Sequence, residues 1–214
     1  GFLTAASSLL RKKKDDGPHL IFLPEIPFEI DNFLKLIKKE YEKNGKCIVA
    51  ISEGIQDKHK KLISERTSKN QEFDSHGNVQ LSGSSSLGDF LAEQIKKKLK
   101  ISRVRADTLG YPQRCFPGSV SEVDQDEAFQ IGRTAVHFSK TEKKSFSTGI
   151  SERKNLEKIY KITFKINSLE DVAGKTKTMP SKFYDSKAGN VSKLFQKYAL
   201  PLIGKKIPKT SSII

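Results

Sequence analysis

The chain reads as an α/β fold: an open, mostly parallel sheet with flanking helices, plus a small antiparallel addition. Three observations lead there. Two short apolar runs, His19–Leu23 and Cys47–Ile51, flank an amphipathic stretch from Asp31 to Asn44, which is the pattern of a β-α-β unit with buried parallel strands. A third strand-like segment, Arg103–Leu109, alternates Val104, Ala106 and Thr108 against Arg105, Asp107 and Leu109. Farther on, Ile162, Phe164 and Ile166 alternate with Lys161, Thr163 and Lys165, as in a strand wet on one face.

Taken in order, Gly1–Leu10 is rich in Ala and Leu, with Phe2, Ala5, Ala6 and Leu9 on one helical face. Lys12–Lys14 suit that helix's C-terminus, Gly17 its exit and Pro18 its stop. We read the chain as starting mid-protein, on a buried helix. Pro24 closes the first strand, so Glu25 sits at its C-terminal end, beside the crevice where open α/β sheets bind ligands. A carboxylate there can accept hydrogen bonds from sugar hydroxyls or, alternatively, cap the helix that starts near Phe28 or Asp31.

In that helix Phe33, Leu34, Ile37 and Tyr41 face inward, and Gly45 ends it. Ser52-Glu53-Gly54 then lands at the same edge of the sheet as Glu25. Residues 56–86 are polar, with Ser82–Ser86 close to linker composition. The pairs Asp57/His59 and Asp74/His76 lack the further donors a metal site needs. Leu87–Leu99 is amphipathic, with Leu87, Phe90, Leu91, Ile95 and Leu99 inward.

After the arginine strand, Gly110 permits a sharp exit, Pro112 forbids continuing the ladder, and Pro117-Gly118 is a second turn. Ser121-Glu122-Val123-Asp124 is a capped helix start, the helix running to about Ser139 with Ala128, Ile131, Ala135 and Phe138 inward, behind the arginine strand. Ser145–Ile150 and Ile159–Ile166 form the antiparallel addition at the sheet edge. Met179-Pro180 is a loop, Val191–Tyr198 a short helix, and Pro201 and Pro208 close the tail.

The chain of 214 residues carries 39 Lys and Arg against 25 Asp and Glu, a net charge of +14. Such a balance fits nucleic acid, an acidic membrane face or an anionic small substrate. A nucleic-acid module would cluster its cations with interleaved aromatics. Here the lysines spread over the outer faces of nearly every helix, and no recognised binding motif occurs. The apolar opening is shorter than the ~20 residues a bilayer span needs, and its charges follow it rather than precede it. Two cysteines, Cys47 and Cys115, make no disulfide framework and suit a reduced, cytoplasmic setting.

Arg105, Gly110-Tyr111-Pro112-Gln113-Arg114 and Ser121-Glu122-Val123-Asp124-Gln125-Asp126-Glu127-Ala128 resemble the phosphofructokinase family, in particular its pyrophosphate-using branch. The resemblance recurs at Gly17–Glu25, Ile51–Gly54 and Tyr198–Gly204 and covers nearly all of the chain. It implies that the chain is the C-terminal, sugar-phosphate-binding lobe of an enzyme that phosphorylates the 1-hydroxyl of fructose 6-phosphate. On that reading Glu25 accepts hydrogen bonds from the sugar, and Arg105, Tyr111 and Arg114 meet the phosphate, Arg105 reaching into a neighbouring subunit's site. Chemically, arginine forks match phosphate oxygens bidentately, and a tyrosine adds a neutral donor.

The resemblance further implies Mg²⁺, a homo-oligomer, and no nucleic-acid or membrane partner. Residues 1–140 are expected to form the sugar-phosphate lobe, and 141–214 its β-addition, C-terminal helix and tail. The family's general base, an aspartate in a Thr-Asp-Asn type motif, and its Gly-Gly-Asp donor loop belong to an N-terminal half; neither motif occurs in this sequence. No catalytic or metal-ligating residue is therefore expected in this segment. Tyr111 and Cys115-Phe116 follow the pyrophosphate branch, where many relatives using ATP have a histidine and two glycines. ATP is the alternative donor, and a non-catalytic relative the alternative to an enzyme.

Overall fold

A computed structural model describes residues 1–13, 15–66, 86–110, 116–156 and 159–204. The chain divides into two compact units, one of residues 1–115 with 178–196, the other of residues 116–177 with 197–214.

The first unit is built on strand β1 (Leu20–Phe22), buried on both faces, and strand β2 (Val49–Ile51), which pairs with it in parallel, Ile21 opposite Ala50. Helix α2 (Ile30–Asn44) connects them as the sequence predicts, and ends at Gly45, whose φ of 67° is the left-handed cap that glycine adopts without strain. Phe33, Leu34 and Ile37 are buried, while Tyr41 is 39% exposed, contrary to expectation. Being amphipathic, a tyrosine at the end of the apolar stripe can leave its ring edge in water.

At the centre, the Phe33 ring stands edge-on to Phe22, centroids 5.2 Å apart, and tilts against Phe28 at 5.3 Å. Helix α3 (Ser86–Leu99) adds Leu87 and Leu91 to this core, with Phe90, Ile95 and Leu99 packed at its margin. Strand β2, expected to be buried, is only half covered, β1 being its one strand neighbour among the described residues.

The opposite edge of β1 is closed by distant residues. The Ile21 N–H donates to Gly189 O at 2.8 Å, Tyr184 Oη to Ile21 O at 2.7 Å, and Asn190 Nδ2 to His19 O at 2.8 Å. These belong to a tight hairpin, β5 (Tyr184–Asp185) and β6 (Asn190–Val191). Gly189 must be glycine: its φ is +60°, and a Cβ would lie 2.9 Å from Leu36 Cδ1. His19 is fully used, its Nδ1 accepting from Ile48 N–H at 2.9 Å and its Nε2 lying 3.1 Å from Asp15 O. The neutral tautomer protonated on Nε2 satisfies both.

The opening helix is shorter and less buried than the sequence suggests. It is α-helical over Phe2–Ala6 (α1) and 3₁₀ over Ser7–Leu10, with Leu3 and Leu10 exposed and Ala5 and Ser8 buried. The expected arginine strand does not form either: no ladder pairs residues 103–110 among the described residues, and Arg103 and Arg105 are exposed. Alternation supplies the face of a strand but not the neighbour whose hydrogen bonds define one.

The second unit sets helix α4 (Glu122–Phe138) against an antiparallel ribbon of β3 (Phe146–Leu156) and β4 (Ile159–Ser168). Among the described residues the ribbon is a two-stranded sheet with no further strand paired to it. Ile150 faces Phe164 and Arg153 faces Ile162, the register shifting between Ile150 and Glu152. Ile162 and Phe164 are half-buried between exposed Lys161, Thr163 and Lys165, the alternation the sequence shows, but Ile166, expected on the same face, is exposed.

Helix α4 buries Glu127 rather than its expected apolar set; Ala128 is exposed, and Ile131, Ala135 and Phe138 are half-covered. It packs on β3 and β4, and a two-stranded ribbon is too narrow to cover the helix's whole apolar face. A short helix α5 (Leu169–Val172) follows, and helix α6 (Lys193–Ile203) ends the described chain, longer than expected and with Pro201 inside its last turn.

The Ser121 cap forms as predicted. Its Oγ accepts from the Asp124 N–H at 3.2 Å and donates to Leu202 O at 2.6 Å. Ser121→Ala should therefore cost about 1 kcal/mol, the usual penalty for deleting a serine cap. Amide exchange in the first turn of α4 checks this; protection equal to that of the parent would remove the cap from the stability of the helix.

Candidate functional site

Parallel pairing sends the C-terminal ends of β1 and β2 to one edge of the sheet. The chain leaves β1 through a turn in which Ile26 N–H donates to Leu23 O at 3.3 Å, and Glu25 stands on that turn. From β2 it leaves through Ser52-Glu53-Gly54, where Ser52 N–H still bonds to Phe22 O at 3.0 Å. A Cβ on Gly54 would lie 3.7 Å from Pro24 Cβ, so the two turns are neighbours, as the sequence predicts. Glu53 is half-buried there.

The Glu25 side chain is 13% exposed, with its Oε1 3.4 Å from the main-chain nitrogen of Gly1. That same oxygen accepts a hydrogen bond of 3.0 Å from the main-chain N–H of Met179. Oε2 is buried and finds no donor among the described residues. It lies so close to Gly1 that a Cβ there would be 2.1 Å away. The carboxylate is thus no helix cap: α2 begins at Ile30 with Glu29 at its N-cap position, and Glu25 turns instead toward Gly1 and Met179.

Arg105 lies in the same unit, exposed, on the unpaired segment that follows α3. Among the described residues no hydrogen bond or ion pair joins it to Glu25. Tyr111 and Arg114, the other two candidates, lie outside the described residues, as does the Cys115 that follows them.

Asp57, tempting beside His59, caps a local turn: its Oδ1 accepts from the N–H groups of His59 at 2.8 Å and Lys61 at 3.0 Å. Asp74 and His76 lie outside the described residues. No three His, Cys, Asp or Glu side chains lie together among the described residues in a way that could hold a metal ion. Burial, reinforced by Glu40, pushes the Cys47 thiol up to about 11, which keeps it protonated and unreactive at neutral pH.

The second unit holds a charge cluster that the sequence does not announce. Glu127, 4% exposed, accepts from Arg153 Nε at 2.9 Å and Nη2 at 2.6 Å, and also from the Tyr160 hydroxyl. Burial alone would push this carboxyl up, but the bonds from Arg153 and Tyr160 outweigh it and hold it below the usual range. Tyr160 is pushed up to about 12 by burial and by its bond to Glu127. Beside the cluster opens a cleft of about 370 Å³ lined by Glu122, Asp126, Gln130 and Lys161 among others. Arg153 spends the Nε/Nη2 edge of its guanidinium on Glu127, and the cluster ties the ribbon to α4.

The family model described as phosphofructokinase matches residues 1–139. A Rhodospirillum rubrum protein named pyrophosphate–fructose 6-phosphate 1-phosphotransferase is 46% identical over 208 residues, which are 97% of this chain and 50% of that protein. A protein of the same name from Xanthomonas campestris pv. campestris is 31% identical over 97% of this chain and 48% of its own length. The chain thus spans about half the length of the curated relatives it matches. Among solved structures, a pyrophosphate-dependent phosphofructokinase from Nitrosospira multiformis superposes with a TM-score of 0.72 at 23% identity, covering 99% of this chain and 47% of the other. The fold is therefore the α/β fold of that structure, over about half of its chain.

Proposed function

The chain belongs to the phosphofructokinase family, and from that premise we propose that it is the sugar-phosphate-binding part of an enzyme moving a phosphoryl group from pyrophosphate to the 1-hydroxyl of fructose 6-phosphate. The observation that carries the reading is the parallel register of β1 and β2, which puts Glu25 and the Ser52–Gly54 turn at one edge of the sheet, where such folds take ligands. The 46% identity to a pyrophosphate-named relative supports the donor.

In this reading Glu25 accepts hydrogen bonds from the sugar hydroxyls, while Arg105, Tyr111 and Arg114 neutralise and orient the phosphate. Both units belong to one lobe, residues 1–140 supplying the contacts and 141–214 completing it. The protein acts in glycolysis in the cytoplasm as a homo-oligomer, Arg105 serving a neighbouring subunit. Among the described residues no helix is long and apolar enough to cross a membrane.

Mg²⁺ would neutralise the donor phosphates. The described residues offer it no cluster of three ligating side chains.

Two assays test the reading. The chain alone, given pyrophosphate, Mg²⁺ and fructose 6-phosphate, should form no fructose 1,6-bisphosphate, yet bind fructose 6-phosphate measurably by calorimetry. A chimera carrying residues 1–214 in place of the matching half of the Rhodospirillum rubrum relative should turn over with pyrophosphate and not with ATP. Absent binding, or a silent chimera that is folded, would overturn the function; a preference for ATP would overturn the donor.

A further inference from the structure

The Glu25 carboxylate is held by a residue far away in sequence. The main-chain N–H of Met179, 154 positions along the chain, donates to Oε1 at 3.0 Å. Both ends of this hydrogen bond are tied to β1. Glu25 follows that strand by a single turn. The Met179 side chain is buried, and Pro180 O accepts from Phe183 N–H at 2.9 Å. Phe183 in turn stands edge-on to Phe195 at 5.8 Å, and its carbonyl accepts from Ser192 N–H at 2.8 Å. From the same segment Tyr184 Oη reaches Ile21 O and Gly189 O takes the Ile21 N–H, so the Met179 amide is referenced to the strand that carries Glu25.

A glutamate on a turn has three side-chain torsions to lose before its carboxylate presents a fixed edge. An N–H bonded to one oxygen removes the last of them, and a bond to a charged acceptor is among the stronger kinds. We propose that the Met179 amide is a positioning group, fixing the Glu25 carboxylate in the orientation that receives the sugar hydroxyls. This rests on the ligand reading of Glu25 given above. It assigns to the segment after Thr178 a part in sugar recognition that does not require its side chains to touch the ligand.

The test is to delete the N–H and leave the side chain. Exchanging the 178–179 amide for an ester, by incorporating the α-hydroxy analogue of methionine, removes the donor with little change of shape. Met179→Pro also removes the N–H by ordinary mutagenesis but replaces the buried side chain as well, and the ester covers the case in which that variant fails to fold. Calorimetry then uses two probes, fructose 6-phosphate and inorganic phosphate. The ester should lower affinity for the sugar phosphate roughly tenfold and leave that for inorganic phosphate unchanged. Met179→Leu, which keeps the N–H, should bind both as the parent does.

Equal losses for both probes would reduce the bond to a general structural tie and overturn the inference. So would unchanged sugar-phosphate affinity in the ester while Glu25→Gln weakens it. If Glu25→Gln itself leaves sugar-phosphate binding intact, the ligand reading of Glu25 fails, and the positioning role with it.

Discussion

Arg114→Ala should cut the affinity of the chain for fructose 6-phosphate by at least about thirtyfold, the lower end expected for removing one partner of a desolvated charge pair. A sugar phosphate carries nearly two negative charges, and a guanidinium meets two of its oxygens at once, which no other side chain does. Arg114→Lys keeps the charge but loses the fork, so its affinity should fall between parent and alanine variant. Titration calorimetry with fructose 6-phosphate reads the loss, and fructose without its phosphate is the control, since its binding should not respond. The same alanine change at Arg105 should cost less in dilute monomer if that arginine serves a neighbouring subunit. Unchanged affinity in Arg114→Ala would remove this residue from the site.

The largest expected loss of stability lies in the second unit. Arg153→Ala leaves Glu127, 4% exposed, without its bidentate partner. Breaking a buried pair on one side costs roughly 3–5 kcal/mol, because the remaining charge stays desolvated. The pH dependence follows from the direction of the shift. In the parent, the Glu127 carboxyl is held below its ordinary range, so its contribution is complete at neutral pH and is lost as pH falls through the lowered value. In Arg153→Ala the burial that opposes ionisation is no longer outweighed, so protonation relieves the variant. The stability gap between the two should be widest near neutrality and should narrow as pH falls, from where the variant's desolvated Glu127 takes up a proton down to the parent's lowered value. Amide exchange along β3 and β4 reads the unit by itself, which a single melting curve of a two-unit chain does not. A gap that stays constant with pH would take Glu127 out of the balance.

The β-α-β unit is legible in the sequence because its signals are local: apolar runs stopped by Pro24, an apolar stripe at helical spacing, and Gly45 at the exit. The Ser121 cap and the alternation in β4 are legible for the same reason. The Glu25 position is legible too, since strand ends are read from where apolar runs stop. What hides is whatever depends on a partner elsewhere in the chain. Arg103–Leu109 has the alternation of a strand but, among the described residues, no ladder. Glu127 looks like one more acid on a wet helix, and only Arg153 and Tyr160, across on the ribbon, make it a buried one. The Met179 contact has no sequence signal at all, because a main-chain N–H is present at every residue but proline.

The hairpin that seals the far edge of β1 has a bearing on biosynthesis. Residues 178–196 must fold back past some sixty intervening positions to complete a unit whose other members were made first. Until they emerge from the ribosome, the amide of Ile21 and the carbonyl it will pair with are held in separate pieces of a growing chain. The pairing is therefore a late, long-range closure of the kind that slows folding and lengthens the time a bare strand edge is open to chaperones or to strangers.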